Sequence, residues 1–246
     1  MDKTSTNRNK ELYSEHMIDS TIYRKNVSPA EKAVLKKYLT DTDKKVVEAG
    51  AGGGRLTFYI EEFGFKDVTG FDIVEEMMEY AQKEAARRAS NIQFIAADAS
   101  DLKMFEDETF DYLVYAQQVL CFVPKELFQK SLEEAYRIAS PGSLTIFTFL
   151  DFDSKSYNPL LSICANFLRK LRGEEVSKYH LPWLKLNNTQ FNWKLLKKDQ
   201  PSIYWVKKAD IIHQLTAIGY TIIEANKGSE IVENGSKGVL YVICKK

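Results

Sequence analysis

From Lys44 onward the chain alternates short β-rich runs with helical runs, and that alternation restricts the fold more than any other feature. "KKVVEAG" is a strand running into glycines, "RLTFYIEEFG" a helix ending at Gly64, and "DVTGFD" a strand ending at Asp72. "VEEMMEYAQKEAARRA" is an amphipathic helix with acids first and arginines last, the order its dipole favours. "IQFIAAD" and "TFDYLVYA" are the third and fourth strands. "KELFQKSLEEAYRIA" is a helix expected to stop at Pro141-Gly142, and "SLTIFTFLD" is the fifth strand. Such alternation implies a parallel sheet covered by helices on both faces. Towards the end, "KKADIIHQLTAIG" is a helix, and "YTIIEA" and "GVLYVICKK" are strands. The turn-rich stretch "NKGSEIVENGSKG" is expected to join these two strands without a helix, as an antiparallel hairpin.

Between these halves lies a stretch of different character. Residues 44–150 carry 11 Lys+Arg against 18 Asp+Glu, whereas residues 155–208 carry 11 against 3, so a basic segment is set into an acidic body. That segment opens with a helical run, "NPLLSICANFLRKLRG", and continues rich in aromatics and lysines. We read residues 1–43 as an N-terminal helical cap, 44–150 with 207–246 as the core, and 151–206 as an inserted lid. A run of eighteen apolar residues is missing, and the first residues are polar without an apolar signal core. A soluble, cytoplasmic protein is the expectation. Cys121, Cys164 and Cys244 have no metal-ligand spacing, so no metal is expected and the thiols read as buried and reduced.

The glycines in "KKVVEAGAGGGR" call for a ligand pressed against bare backbone. The dinucleotide fingerprint G-x-G-x-x-G fails, because its third glycine would fall at Arg55. A phosphate-binding loop fails because no G-K-[ST] follows. The observed spacing is Glu48, then Gly50, Gly52 and Gly54. "EAGAGGG" resembles the first motif of the class I S-adenosylmethionine-dependent methyltransferases, and "VTGFDIVEEMMEYAQ", "IQFIAADASDL", "FDYLVYAQQVL" and "YRIASPGSLTIFTF" resemble those that follow it. The resemblance covers roughly residues 44–150, with the closing strand pair matching the family's last two strands. It implies a Rossmann-like α/β fold with a seven-stranded, mostly parallel sheet, one antiparallel strand and strand order 3-2-1-4-5-7-6.

The resemblance also implies site roles. Gly50, Gly52 and Gly54, with Ala49, let the methionine and ribose portions pass, and Glu48 faces the cofactor's amino end. Asp72 holds the ribose diol, Ile73 and Met77 flank adenine, and Asp98 and the Ala99 amide meet its ring. Ala116 and Gln117 line the side where methionine and acceptor meet. Arg55, at a helix start, reads as a solvated residue.

The acceptor side is less constrained. "YAQQVLCFVP" lacks the N/D-P-P-Y/F signature of amino-group methylases, which lowers nucleic-acid and protein amide substrates. His180, beside Tyr179 and Trp183, is the general-base candidate; His213 reads as structural or exposed. Tyr13 and Tyr23, near His16, are candidates to close the site from the N-terminal side. Phe167, Tyr179, Trp183, Phe191, Trp193, Tyr204 and Trp205 are candidates for an aromatic pocket wall, or for a core of the lid itself. The expected function is methyl transfer to oxygen or nitrogen of a small molecule, acidic or aromatic. Two rivals stand beside it: an RNA methyltransferase using the basic insert, and a catalytically silent regulatory protein that binds S-adenosylmethionine.

Overall fold

A computed structural model of the chain describes residues 26–154, 159–173, 180–182 and 202–246. The helices are α1 (Pro29–Tyr38), α2 (Arg55–Glu61), α3 (Glu75–Arg87), α4 (Lys125–Ile138), α5 (Pro159–Leu171), α6 (Lys208–Ile218) and the single turn α7 (Gly228–Ile231). The strands are β1 (Val46–Ala49), β2 (Val68–Asp72), β3 (Gln93–Ala96), β4 (Phe110–Tyr115), β5 (Ala139–Leu150), β6 (His180–Pro182), β7 (Ser202–Tyr204), β8 (Thr221–Lys227) and β9 (Val239–Lys245).

Seven strands form one sheet in the order β3-β2-β1-β4-β5-β9-β8. β9 runs antiparallel to both β5 and β8, and the remaining pairs are parallel. The expected Rossmann-like sheet and its hairpin are therefore present. Strands buried on both sides need apolar residues at consecutive positions, and β9 shows how this is met. Leu240, Val242 and Cys244 face one core layer, with Val47, Phe71, Tyr115 and Phe147 and residues of α4 and α6. Tyr241 and Ile243 face the other, with Val46, Val114 and residues of α1, α2 and α3.

Several local expectations are corrected. α4 ends at Ile138, not at Pro141-Gly142, and β5 starts at the next residue. Ala139 pairs with Phe110, and a register shift follows that lets Gly142, at φ +80°, join the strand. Its amide donates to the Lys246 carbonyl at 2.9 Å, so the chain end stabilises the irregular stretch. The linker between β8 and β9 does contain a helix, the one turn of α7, tied by the Lys227 amide to Glu230 at 2.6 Å. Cys164 is exposed, unlike Cys121 and Cys244.

The inserted segment is anchored at its root. The Phe152 amide donates to the Val206 carbonyl at 2.8 Å, and the Val206 amide to Leu150 at 2.9 Å. Asp151, fully buried, pairs with Lys227 Nζ at 2.8 Å, which binds the outgoing chain to the end of β8. Further out, β6 pairs with β7, and Tyr204 stacks edge-on to Phe128 of α4 at 4.8 Å. Tyr204 and Trp205 thus pack on the core, and Phe167 is 61% exposed. The other residues of the expected aromatic wall, Tyr179, Trp183, Phe191 and Trp193, lie outside the described residues. No helix among the described residues is long and apolar enough to cross a membrane.

Arg137, in the last turn of α4, is a hub between that helix and the loop before β4. It donates to the carbonyls of Leu102 at 2.9 Å and Phe105 at 3.0 Å, and pairs with Glu134 at 2.9 Å. Glu134 in turn accepts from the Leu102 amide at 2.7 Å. Arg137→Met removes these charge-assisted bonds and strips the Phe105 carbonyl of its donor, and is predicted to destabilise the chain by about 2 kcal/mol. Urea unfolding is expected to show a lower midpoint with an unchanged slope.

Candidate active site

The carboxyl ends of β1 to β4 open into a cavity of about 870 Å³. Gly50, Asp72, Ile73, Met77, Asp98, Ala99 and Gln117 all line it, so most of the residues expected at the cofactor converge there. Ala49, Gly52, Gly54 and Ala116 are not among its lining residues; they belong to the backbone that shapes it.

The glycine loop owes its form to two close approaches. Gly50 has φ +69°, and a Cβ there would lie 2.6 Å from Val119 Cγ2. Gly54 has φ +83°, and a Cβ would meet Phe58 and Phe94 at under 3 Å. An L side chain at either position is both strained and blocked. The loop is then tied to β2: the Ala51 amide donates to the Phe71 carbonyl at 3.0 Å, and the Gly52 amide to Asp72 Oδ2 at 3.0 Å.

Asp72 is held on its other oxygen by the Val74 amide, also at 3.0 Å. Burial pushes its carboxyl up from the usual range, while these amides pull the other way. The Ile73 amide adds to these two, and the carboxylate keeps acceptor capacity towards the cavity. Asp98 accepts at Oδ1 from both the Ser100 amide and the Ser100 hydroxyl, each at 2.8 Å. The hydrogen bonds it receives from described residues thus fall on one oxygen.

Beyond β4, Gln117 and Gln118 are consecutive residues at φ +55° and +58°. Such backbone costs energy for side chains other than glycine and persists only where neighbours fix it. Here the Gln118 amide donates to Thr148 Oγ1 at 2.8 Å, and both glutamines reach the cavity.

Glu48 lies behind the cavity wall. It is fully buried, accepts from the Thr57 hydroxyl, and leaves Oε1 without a hydrogen-bond partner. Burial raises its carboxyl to about 8; the Thr57 bond and the Arg55 charge oppose this, and Glu31 and Asp72 reinforce it.

Arg55 corrects the sequence-based expectation most clearly. Its side chain is only 8% exposed. It pairs with Glu31 at 3.4 Å and donates to the Asn26 carbonyl at 2.8 Å. Glu31 also closes the capping box of α1, accepting from the Ser28 amide at 2.8 Å while Ser28 Oγ accepts from the Glu31 amide at 3.2 Å. Tyr241 hydrogen-bonds to Ser28, and burial raises its phenol to about 12. Asn26, Ser28, Glu31, Arg55 and Tyr241 all line the cavity, together with Asn234, Gly235 and Ser236 of the last hairpin. The capping signal S-P-A-E was present in the sequence, but only the fold brings it against Arg55 and Tyr241.

The acceptor-side candidates are less gathered. His180 sits on β6 opposite Tyr204, and His213 is exposed on α6. Tyr13, His16, Tyr23, Tyr179 and Trp183 lie outside the described residues. Among the described residues no group of His, Cys, Asp and Glu is placed to hold a metal ion.

Residues 46–142 match the family described as a methyltransferase domain. A probable S-adenosylmethionine-dependent methyltransferase of Saccharomyces cerevisiae is 33% identical over 98 residues, 39% of this chain and 33% of the yeast protein. A ubiquinone biosynthesis O-methyltransferase of Hydrogenovibrio crunogenus is 25% identical over 56% of this chain and 55% of its own length. The matched regions thus span about a third to a half of these relatives. In fold, the chain is similar to the Burkholderia thailandensis 1,6-didemethyltoxoflavin-N1-methyltransferase solved with its acceptor and S-adenosylhomocysteine. The TM-score is 0.59 at 17% identity, covering 98% of this chain and 84% of that one. Residues 46–142 are thus a methyltransferase domain, similar to those of the class I S-adenosylmethionine-dependent methyltransferases, whose cofactor is S-adenosylmethionine.

An acid whose pKa is higher folded than unfolded stabilises the fold fully below its unfolded pKa. That contribution is lost as pH rises to its folded pKa. For Glu48 the window runs from the ordinary value near 4.5 to about 8. Glu48→Gln removes the titration. Its stability relative to wild type is predicted to rise across that window by about 4 kcal/mol, at roughly 1.4 kcal/mol per pH unit. Denaturant unfolding of both proteins at pH 4.5 and pH 8.5 measures the difference.

Proposed function

We propose that the chain transfers a methyl group from S-adenosylmethionine to an oxygen or nitrogen of a small-molecule acceptor. The observation that carries the reading is Asp72, a carboxyl fixed by backbone amides of both neighbouring loops and lining the cavity, where it can accept from a ribose diol. Gly50 leaves the backbone bare beside it, and Ile73 and Met77 offer an apolar slot for a purine.

The cavity extends past the nucleoside end to Gln118, Phe122 and the hairpin residues Asn234–Ser236. At about 870 Å³ it stands near the top of the roughly 300–1,000 Å³ range of small-molecule sites, which favours a cofactor plus a compact acceptor. The oxygen acceptor implied by the name of the Hydrogenovibrio relative and the nitrogen acceptor of the Burkholderia enzyme both fit this reading.

When bound, S-adenosylmethionine supplies a methyl carbon on a sulfonium, open to in-line displacement by the acceptor. The residues of this chain then have positioning and desolvation to perform. Asp72 and the glycine loop fix the nucleoside, and the strained Gln117–Gln118 turn presents two carboxamides to the acceptor side. We assign His180, on the β6–β7 pair that stands on Phe128, to the acceptor's proton where the nucleophile arrives protonated.

Asp72→Ala is predicted to weaken S-adenosylhomocysteine binding about 10- to 100-fold, the loss of charged hydrogen bonds worth about 1.5–3 kcal/mol. Unchanged affinity by calorimetry removes Asp72 from the ribose. The reaction itself is tested with methyl-labelled S-adenosylmethionine and an extract of the source cell. Label is expected in the small-molecule fraction, whereas nuclease-sensitive label in the macromolecular fraction contradicts the acceptor class.

A further inference from the structure

We infer that Arg55 is the binding group for the cofactor's carboxylate, which takes the place of its loose pairing with Glu31. This rests on the proposed S-adenosylmethionine site. The cavity lining among the described residues contains four charged side chains: Glu31, Asp72, Asp98 and Arg55. Arg55 is the single cation. A ligand with one carboxylate therefore has one place in that lining where its negative charge is met by a positive one.

The position of Arg55 suits that role. It directly follows Gly54, so the bare loop that passes beneath the ligand ends at the guanidinium. Asp72 and Asp98 stand at the ends of β2 and β3, on the nucleoside side. The cofactor is then held with its ribose at Asp72 and its amino-acid end at Arg55.

The guanidinium is also incompletely satisfied. It is more than nine-tenths buried, and its Nε has no hydrogen-bond partner. Both contacts to Glu31, Nη1 to Oε2 and Nη2 to Oε1, are 3.4 Å long. Charge-assisted bonds of this kind settle near 2.7–2.9 Å, so the pair is loose. Glu31 has a stronger bond of its own, 2.8 Å from the Ser28 amide, which anchors Oε2 at the start of α1. A planar fork with a spare N–H beside a loosely held carboxylate can accept a second carboxylate side-on. Glu31 remains paired with Ser28 while it does so.

The test compares two ligands on the whole chain: S-adenosylhomocysteine, and its decarboxylated analogue, which keeps the amine, thioether and adenosine. Calorimetry is expected to show wild type favouring S-adenosylhomocysteine about 10- to 100-fold, the range of a charge-assisted pair. Arg55→Met is expected to abolish that preference while leaving the analogue's affinity within about twofold. The analogue's binding also reports that the variant is folded. Glu31→Gln, which removes the competitor and keeps the amide able to cap, is expected to hold or tighten S-adenosylhomocysteine binding. Equal affinity of the two ligands for wild type overturns the inference, as does an equal loss of both in Arg55→Met. Failure of wild type to bind either ligand overturns the cofactor reading on which it stands.

Discussion

The bonds between the glycine loop and Asp72 are the constraint on which the rest of the site depends. One carboxylate accepts from the Gly52 amide in the turn after β1 and from the Val74 amide in the turn after β2. Two loops on neighbouring parallel strands are thereby fixed to one charged group. The loop's shape, the aim of the carboxylate and the width of the cavity mouth are set together. Burial pushes the pKa of Asp72 up, and the backbone donors oppose that shift. Without a Cβ at Gly50, Val119 closes from the other side, which couples β4's exit turn to the same loop.

The sheet was legible because each strand buried on both faces is a short continuous apolar run, and each helix between them is amphipathic. Gly50, Asp72, Ile73, Met77, Asp98, Ala99 and Gln117 were legible as cavity residues because all lie at the ends of strands or just after them. Position along a parallel strand is almost position in the site. What was hidden depends on convergence. Arg55 looks like an ordinary surface cation until α1 brings Glu31 to it and covers it. Tyr241 looks like one more apolar residue of β9 until its hydroxyl is found at Ser28.

Local breakers misled in proportion to how far the surroundings overrode them. Pro141-Gly142 reads as a stop, but the chain end donates and accepts across it, so β5 absorbs the pair. α7 is a single turn, too short to leave a periodic signal, and exists because Glu230 accepts from the Lys227 amide. The inserted segment's aromatics could not be sorted from sequence: Tyr204 packs on Phe128 and Phe167 is exposed, although both types look alike in a run.

The cavity carries Asp72 and Asp98 at the ends of β2 and β3, bare backbone at Gly50, and Arg55 beside Glu31 in its lining. A crystal structure of the chain with S-adenosylhomocysteine tests this account most directly. Both ribose hydroxyls are expected on the Asp72 carboxylate, with the Gly52 and Val74 amide bonds still in place. A ligand seated elsewhere, or a ribose that leaves Asp72 untouched, would contradict it.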